Sequence, residues 1–296
     1  MSIKVGVASG TWGIGPVNIP GQVPWNVFLD ETRLAGYKYI EAGHYGYLPT
    51  DPKTLLDELT KRDIKVVAST VMNGHLDKPS DWPSVKSELM VAGNVGASLN
   101  AKYIVLIDDF YSSDNRDGET TDKTLTADGW KHLIETTHRI ADIAKEEFGL
   151  DIAFHSHADT HVETTEQLEK FLEDTDSDKI SLCLDTGHLH YGGGDSLEFM
   201  KKHHKRVSYM HFKDVNTNIW ERVKSENLSI QEATAMGVFC DLGEGNVNYP
   251  ELGKVLNDIE YSGWVIVEQD VATPVTKSPL KAATKARKYL ESVGIG

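Results

Sequence analysis

The chain has 296 residues, of which 40% are hydrophobic and 25% are charged, a composition typical of soluble globular proteins. Its formal net charge is −15, from 45 acidic and 30 basic residues, which argues against a nucleic-acid or anionic-membrane partner. No apolar run approaches the ~20 residues of a membrane-spanning helix, and MSIKVGVASGTWG does not have the pattern of a signal peptide, so we expect a cytoplasmic protein.

Short runs rich in β-branched and apolar residues recur along the chain and predict eight strands. Several are apolar nearly throughout, as expected of parallel strands covered on both faces. The predicted strands are Ile3–Ala8, Tyr37–Ala42, Lys65–Thr70, Tyr103–Ile107, Asp151–Ser156, Ile180–Asp185, Arg206–Phe212 and Trp264–Glu268.

A longer amphipathic stretch follows each predicted strand and indicates a helix. Asp51-Pro52 supplies a cap with proline at the first helical position, and Thr164 and Gln167 have capping-box spacing. The predicted helices are approximately Pro24–Ala35, Asp51–Arg62, Trp82–Val95, Thr126–Glu147, Thr164–Asp174, Ser196–His203, Tyr249–Ile259 and Ser278–Val293.

Eight β–α alternations predict a single (β/α)8 TIM barrel over residues 1–296. A doubly wound open sheet is the alternative, but no glycine-rich phosphate turn follows the first strand. The longest segments predicted to be irregular are Asp108–Lys123 and Asn216–Glu244. Both follow strands, so we expect them on the C-terminal face, where barrel active sites are built.

Four successive strands, the fifth to the eighth, end in pairs of potential metal ligands. Consecutive strand residues face opposite sides, so one member of each pair can point into the barrel mouth. Because these strands are neighbours in a barrel, their tips can converge on one ion. The pairs are His155 and His157, Asp185 and His188, His211 and Asp214, and Glu268 and Asp270.

The face argument predicts one divalent metal held by Asp185, His211 and Glu268, with His155 as the fourth ligand and His157 as its competitor on the same strand. Imidazole and carboxylate ligands suit transition metals. We expect manganese or cobalt, with zinc, iron, nickel and magnesium as alternatives. Open positions would remain for water or substrate.

Other residues near the predicted mouth are candidates for substrate contact. His188 is a candidate substrate contact or proton shuttle because its ordinary pKa lies near neutrality. Glu41 ends the second strand and either binds a substrate hydroxyl or forms a salt bridge at the rim. His157 is a further substrate-binding candidate. Trp12, His44, His75 and Lys213 are predicted to line the mouth, while Asp214 and Asp270 are predicted to orient ligands.

Several motifs of the second half resemble the xylose-isomerase-like sugar isomerase and epimerase superfamily. They are LDTGH, HFKD, LGEGNVNYPEL and GWVIVEQD. Within that superfamily GVFCDLGEGNVNYPEL, the ending EQD and the histidine-rich FHSHADT look like the inosose dehydratase branch. The first half shares only general features, a WG motif on the first strand and LAGYKYIEAG at the second.

The resemblance implies a metal-dependent TIM barrel whose ligands are His155, Asp185, His211 and Glu268, with His155 where epimerases keep a glutamate. Epimerisation beside a carbonyl needs a base on each face of the reacting carbon. Dehydration needs one base and one acid, which Glu268 or His188 can provide. We therefore expect an inosose-type keto-polyol or a sugar as substrate, and a dehydratase as the enzyme.

Two other functions are the alternatives, namely a ketose isomerase or 3-epimerase and a non-catalytic protein that binds metal and sugar. The oligomeric state, including a possible homo-oligomer, stays open.

Overall fold

A computed structural model describes residues 3–17, 19–112 and 118–296. Parallel strands close into a barrel in the order β1-β10-β7-β6-β5-β4-β3-β2, and β1 pairs with both β2 and β10. The predicted barrel is confirmed, and its closure excludes the open sheet. The barrel strands are β1 (Lys4–Val7), β2 (Tyr39–Glu41), β3 (Lys65–Val71), β4 (Tyr103–Ile107), β5 (Asp151–His155), β6 (Ile180–Asp185), β7 (Val207–Phe212) and β10 (Trp264–Val267).

Helices surround the barrel. The two N-terminal caps that the sequence predicts are present in the structure. The Asp51 side chain accepts from the Thr54 amide at 2.8 Å, and Thr164 and Gln167 make a reciprocal capping box. The helices are α1 (Trp25–Leu34), α2 (Pro52–Lys61), α3 (Trp82–Ser98), α4 (Ala127–Phe148), α5 (Thr165–Asp174), α6 (Thr186–Tyr191), α7 (Ser196–His203), α8 (Thr217–Glu226), α9 (Ile230–Ala235), α10 (Tyr249–Asp258) and α11 (Pro279–Ser292).

The segment Asn216–Glu244, predicted to be irregular, contains regular structure. It holds α8, α9 and strand β9 (Phe239–Cys240), which pairs antiparallel with β8 (Asp214–Val215). Ser229 and Glu232 form a capping box that starts α9. The prediction missed these elements because α9 and β9 are short, and because α8 is rich in charged residues and buries only Val223. Of the segment 108–123, residues 113–117 lie outside the described residues.

Two apolar layers stabilise the barrel. One lies between the strands and the helices and contains outward residues such as Phe154, Leu184 and Met210. The other fills the barrel interior and contains Cys183 and Tyr209. Side chains alternate with a period of two along a strand. The next inward residues toward the carboxyl ends therefore stand directly above the filled interior.

None of the helices among the described residues combines the length and the apolar character needed to cross a bilayer.

Candidate metal and acid–base site

The inward residues at the carboxyl ends of four neighbouring strands form one polar cluster. They lie two positions beyond the interior residues Ala153, Cys183, Tyr209 and Ile266. Strand pairing places these residues at the same height along the barrel axis. Asp185 is opposite His211, and the amide of Glu268 donates to the carbonyl of Phe212. The cluster consists of His155, Asp185, His211 and Glu268. We refer to these four candidate metal ligands as the ligand cluster.

The facing atoms of this cluster lie close together. His155 Nε2 is 3.1 Å from His211 Nδ1 and 3.4 Å from Asp185 Oδ2. His211 Nδ1 is 3.6 Å from Asp185 Oδ2 and 2.9 Å from Glu268 Oε2. The structure thus brings together the four residues predicted as ligands, and it places His155, rather than His157, among them.

The separations of 3.4 and 3.6 Å between Asp185 Oδ2 and the two imidazoles match those of metal ligands, while the other two, 3.1 and 2.9 Å, are shorter. Ligand atoms of a tetrahedral ion with bonds of about 2.0–2.2 Å are roughly 3.3–3.6 Å apart. Two imidazole nitrogens that face each other and two carboxylates form a donor set suited to first-row transition metals. The residues present therefore fit the metal that the sequence predicts.

Asp185 is oriented by the start of α6. Its Oδ1 accepts from the amides of Gly187 and His188, both at 2.8 Å, as the N-cap of that helix. Its Oδ2 is left facing the two imidazoles. The LDTGH motif thus fixes one carboxylate oxygen in a cap and presents the other to the cluster.

Glu41 orients His211 from the opposite side of the barrel. His211 Nε2 donates to Glu41 Oε1 at 2.5 Å, and both side chains are buried. This bond fixes the tautomer in which Nδ1 is free to act as a ligand. Of the two roles predicted for Glu41, the structure shows an ion pair, made with His211, and the contact with a substrate hydroxyl stays a prediction.

Lys213, on the segment after β7, is fully buried beside the ligand cluster. Its ammonium lies 2.7 Å from Asp270 Oδ2, 3.0 Å from Glu268 Oε2 and 3.2 Å from Asp185 Oδ2. Burial would lower the pKa of Lys213, but Asp185, Asp270 and Glu268 together raise that pKa well above its ordinary value. Lys213 is therefore held as a cation among these three carboxylates.

The same ammonium keeps the nearby carboxylates ionised. Burial is the largest single effect and would raise the pKa of Asp185 and of Glu268, but the charge of Lys213 and the contacts with neighbouring histidines together outweigh it. His188 and His211, respectively, add to the effect of Lys213, and both carboxyl pKa values end below their ordinary range. Glu268 is thus an ionised carboxylate in contact with a cationic acid.

His188 and His157 are neutral neighbours of Lys213. Lys213 Nζ donates to His188 Nε2 at 2.8 Å, and the two imidazole rings lie 3.6 Å apart. Burial first, then the charges of His157 and Lys213, lower the pKa of His188 well below its usual value. Burial lowers the pKa of His157 to about 3. His188 is therefore a neutral imidazole in contact with Lys213, and its role as substrate contact or proton shuttle stays a prediction.

The structure places Trp12 in the core and His75 in a polar group apart from the cluster. Trp12 is wholly buried, donates from Nε1 to Glu31 Oε2 at 2.7 Å and packs edge-on against Phe28. Its indole therefore packs in the core. The first-strand motif contributes Gly10 instead, since a Cβ there would lie 3.1 Å from Asp270 Oδ1 and 3.5 Å from Glu268 Oε1. His75 is also buried, in a separate group of residues described below.

Asp214 orients a loop rather than a ligand. Its Oδ2 accepts from the amides of Gly243 and Gly245, and its Oδ1 accepts from Val247 at 3.0 Å. This explains the DLGEGN sequence, because the glycines let the backbone wrap around a buried carboxylate. Asp270, by contrast, has the supporting position that the sequence suggested, as the partner of Lys213.

A cavity of about 460 Å³ opens next to Lys213's partner Asp270, with Thr11, Phe239 and Gln269 in its wall. This volume lies within the usual range of small-molecule sites. A second cavity of about 420 Å³ lies at the amino ends of the strands, beside Lys65 and Trp264. Barrel active sites lie at the carboxyl ends, which favours the cavity at Asp270.

Sequence comparison finds relatives over nearly the full chain. The family model described as xylose isomerase-like TIM barrel matches residues 29–293. An inosose dehydratase of Clostridium perfringens is 31% identical over 98% of this chain and 97% of the relative. An inosose dehydratase of Lacticaseibacillus casei is 30% identical over 99% of this chain and 97% of the relative.

Solved structures share the architecture. The IOLI protein with a bound zinc atom has a TM-score of 0.76 at 19% identity, covering 99% of this chain and 98% of that one. The probable 3-DHS dehydratase AsbF from Bacillus anthracis has a TM-score of 0.72 at 13% identity, covering 98% of this chain and 99% of that one. At these identities the likeness shows the fold alone.

Proposed function

This chain belongs to the xylose isomerase-like TIM barrel family, and we propose that it is a divalent-metal-dependent dehydratase of an inosose or a similar cyclic keto-polyol. The family resemblance drawn from the sequence is confirmed. The prediction of an enzyme is also confirmed, because the curated relatives are dehydratases. This outcome leaves no role for the alternative of a non-catalytic binding protein.

The observation that carries the proposed reaction is the 3.0 Å contact between Lys213 Nζ and Glu268 Oε2. It places a charged acid beside an ionised base at the carboxyl end of the barrel. The fifth strand contributes the imidazole of His155 to the same cluster. Among the four residues of the cluster, Glu268 is therefore the one glutamate. An acid–base pair on one side of a substrate suits elimination of water.

A divalent metal held by His155, Asp185, His211 and Glu268 would act as a Lewis acid that stabilises negative charge on the substrate's carbonyl oxygen. We propose manganese or cobalt at this position, because the nitrogen and oxygen donors suit both ions. The zinc atom of the IOLI protein supports a metal in this fold.

The chain's own residues would move the protons. Glu268 Oε2 faces His211 and Lys213, while Oε1 faces Gly10 at the mouth and can reach a substrate. Glu268 removes the proton from the carbon next to the carbonyl, and the electron pair of that bond forms the new double bond. The hydroxyl on the following carbon leaves with a proton from Lys213, as water. Contact between Glu268 and Lys213 then lets the proton return.

This arrangement has a stereochemical consequence. Because acid and base lie 3.0 Å apart, the proton and the hydroxyl should depart from the same face of the ring. In a ring whose hydroxyls are all equatorial, the hydrogen on one carbon and the hydroxyl on the next share a face. An all-equatorial cyclic ketone therefore presents the two groups as this pair of residues requires.

The test uses protein loaded with Mn²⁺ or Co²⁺ and a panel of inososes and ketoses. We expect an enone absorbance with inososes, and no turnover by Glu268→Ala, since this variant lacks both a ligand and the base. Glu173→Gln, on the exposed face of α5, is the control and should keep full activity. If ketoses exchange deuterium and invert at carbon three while inososes stay unchanged, the protein is an epimerase instead.

A further inference from the structure

A second group of histidine and aspartate side chains lies at the carboxyl ends of neighbouring strands, apart from the ligand cluster. His75 and Asp77 follow β3, Asp108 follows β4 and His161 follows β5. One nitrogen or oxygen atom of each lies within 4.8 Å of the corresponding atoms of the other three. We refer to these four residues as the His75 group.

The His75 group is organised by hydrogen bonds at its edges. Asp108 Oδ1 accepts from the amide of Leu76 at 2.8 Å, and Asp108 Oδ2 lies 2.8 Å from His161 Nδ1. The carboxylate of Asp77 is 3.9 Å from the same nitrogen. His161 Nε2 donates to the carbonyl of Asp122 at 3.3 Å. That bond can hold the tautomer in which Nδ1 is presented to the two carboxylates, as the bond to Glu41 does for His211.

The polar atoms of His75 are buried without the hydrogen bonds that a histidine in a protein core usually makes. Its side chain is 1% exposed, and neither ring nitrogen has a hydrogen-bond partner among residues 3–17, 19–112 and 118–296. Oxygen Oδ1 of Asp77 is likewise unpartnered within these ranges. A buried imidazole and a buried carboxylate oxygen without partners are costly, and a bound ligand is one way in which proteins remove such a cost.

We infer that His75, Asp77, Asp108 and His161 form a second metal site, which takes a zinc-type divalent ion. Two imidazoles and two carboxylates are a donor set for transition metals, and they suit magnesium or calcium less well. The inference concerns residues outside the ligand cluster and does not depend on the proposed reaction.

The expected role of this site is structural. Four protein ligands complete a tetrahedral shell and leave no position for substrate, as in structural zinc sites. Three of the four residues are buried and Asp77 is partly buried, so solvent has little access. The ion would connect the segments that follow β3, β4 and β5, and would thereby fix one side of the barrel mouth.

The experiment counts metal ions per chain. Full-length protein is stripped with a chelator, reloaded with Zn²⁺ or Co²⁺, desalted and analysed by mass spectrometry. We expect two equivalents in the wild type, one in His75→Gln/His161→Gln and one in His155→Gln/His211→Gln. His132→Gln, on α4, is the control and should bind two.

If His75→Gln/His161→Gln does not fold, the variant His155→Gln/His211→Gln still tests the inference, because it lacks two residues of the ligand cluster and keeps the His75 group. His155→Gln/His211→Gln should bind one Co²⁺ with the visible absorption of a tetrahedral site, and its melting temperature should rise when metal is added. Two results would overturn the inference. One is a wild type whose single ion is kept by His75→Gln/His161→Gln and lost by His155→Gln/His211→Gln, and the other is a variant without the ligand cluster that binds none.

Discussion

Replacement of Glu41 by glutamine tests how the ligand imidazole is held. Glu41 Oε1 lies 2.5 Å from His211 Nε2, and the two side chains are 5% and 2% exposed. Glutamine keeps the size and an acceptor oxygen but removes the negative charge. A charge-assisted hydrogen bond therefore becomes a neutral one, in a place that water does not reach.

The size of the effect follows from the supporting position of Glu41. Loss of such a partner typically weakens metal binding by about 10- to 100-fold, which is roughly 1.4–2.8 kcal/mol. The difference between a charged and a neutral hydrogen bond, about 1–2 kcal/mol, is of the same order. We therefore expect the metal Kd of Glu41→Gln to rise by 10- to 100-fold.

The assay titrates apo protein with Co²⁺ in competition with a chromophoric chelator and then measures turnover at saturating metal. If Glu41 acts only through His211, kcat at saturation stays near the wild-type value and KM does not change. Glu173→Gln on α5 is the matched control and should leave the Kd unchanged. An unchanged Kd together with a raised KM would refute this reasoning and would support the prediction that Glu41 binds a substrate hydroxyl.

Two further substitutions test other parts of the site. Lys213→Met removes the acid but no ligand, so we expect a fall in kcat of about 100-fold or more with metal content unchanged, measured by enone formation and metal analysis. Lys281→Met on α11 should alter neither quantity, whereas loss of metal in Lys213→Met would show that the lysine holds the site together. Asp214→Asn turns an amide toward the backbone donors of Gly243, Gly245 and Val247, and we expect a loss of about 1–3 kcal/mol in the free energy of unfolding, measured by urea titration. The exposed Asp258→Asn should change it by no more than ~0.5 kcal/mol, and equal effects of the two would contradict the assignment.

The residues at the ends of the strands could be predicted from the sequence because one physical rule determines where their side chains lie. Parallel strands end at the same edge, and their side chains alternate with a period of two. An apolar run that ends in a polar residue therefore identifies both the level and the candidate face of that residue. This rule brought Asp185, His211 and Glu268 together from the sequence, and the register between β6 and β7 places the first two side by side. For β5 the rule left two histidines that share the phase of the interior residue Ala153, and the strand ends at His155, so His157 lies in the segment that follows it.

The remaining features depend on contacts that no periodicity encodes. Trp12 sits in a short 3-10 helix after β1, and only its packing against Phe28 and its bond to Glu31 show that it turns into the core. The role of Lys213 comes from four partners at the ends of two other strands, β6 and β10, and that of Glu41 from a bond to a residue of β7. The His75 group follows three different strands and shares no spacing. Such sites need the closed barrel, because strand order determines which loops meet and side-chain packing determines which of their polar atoms face one another.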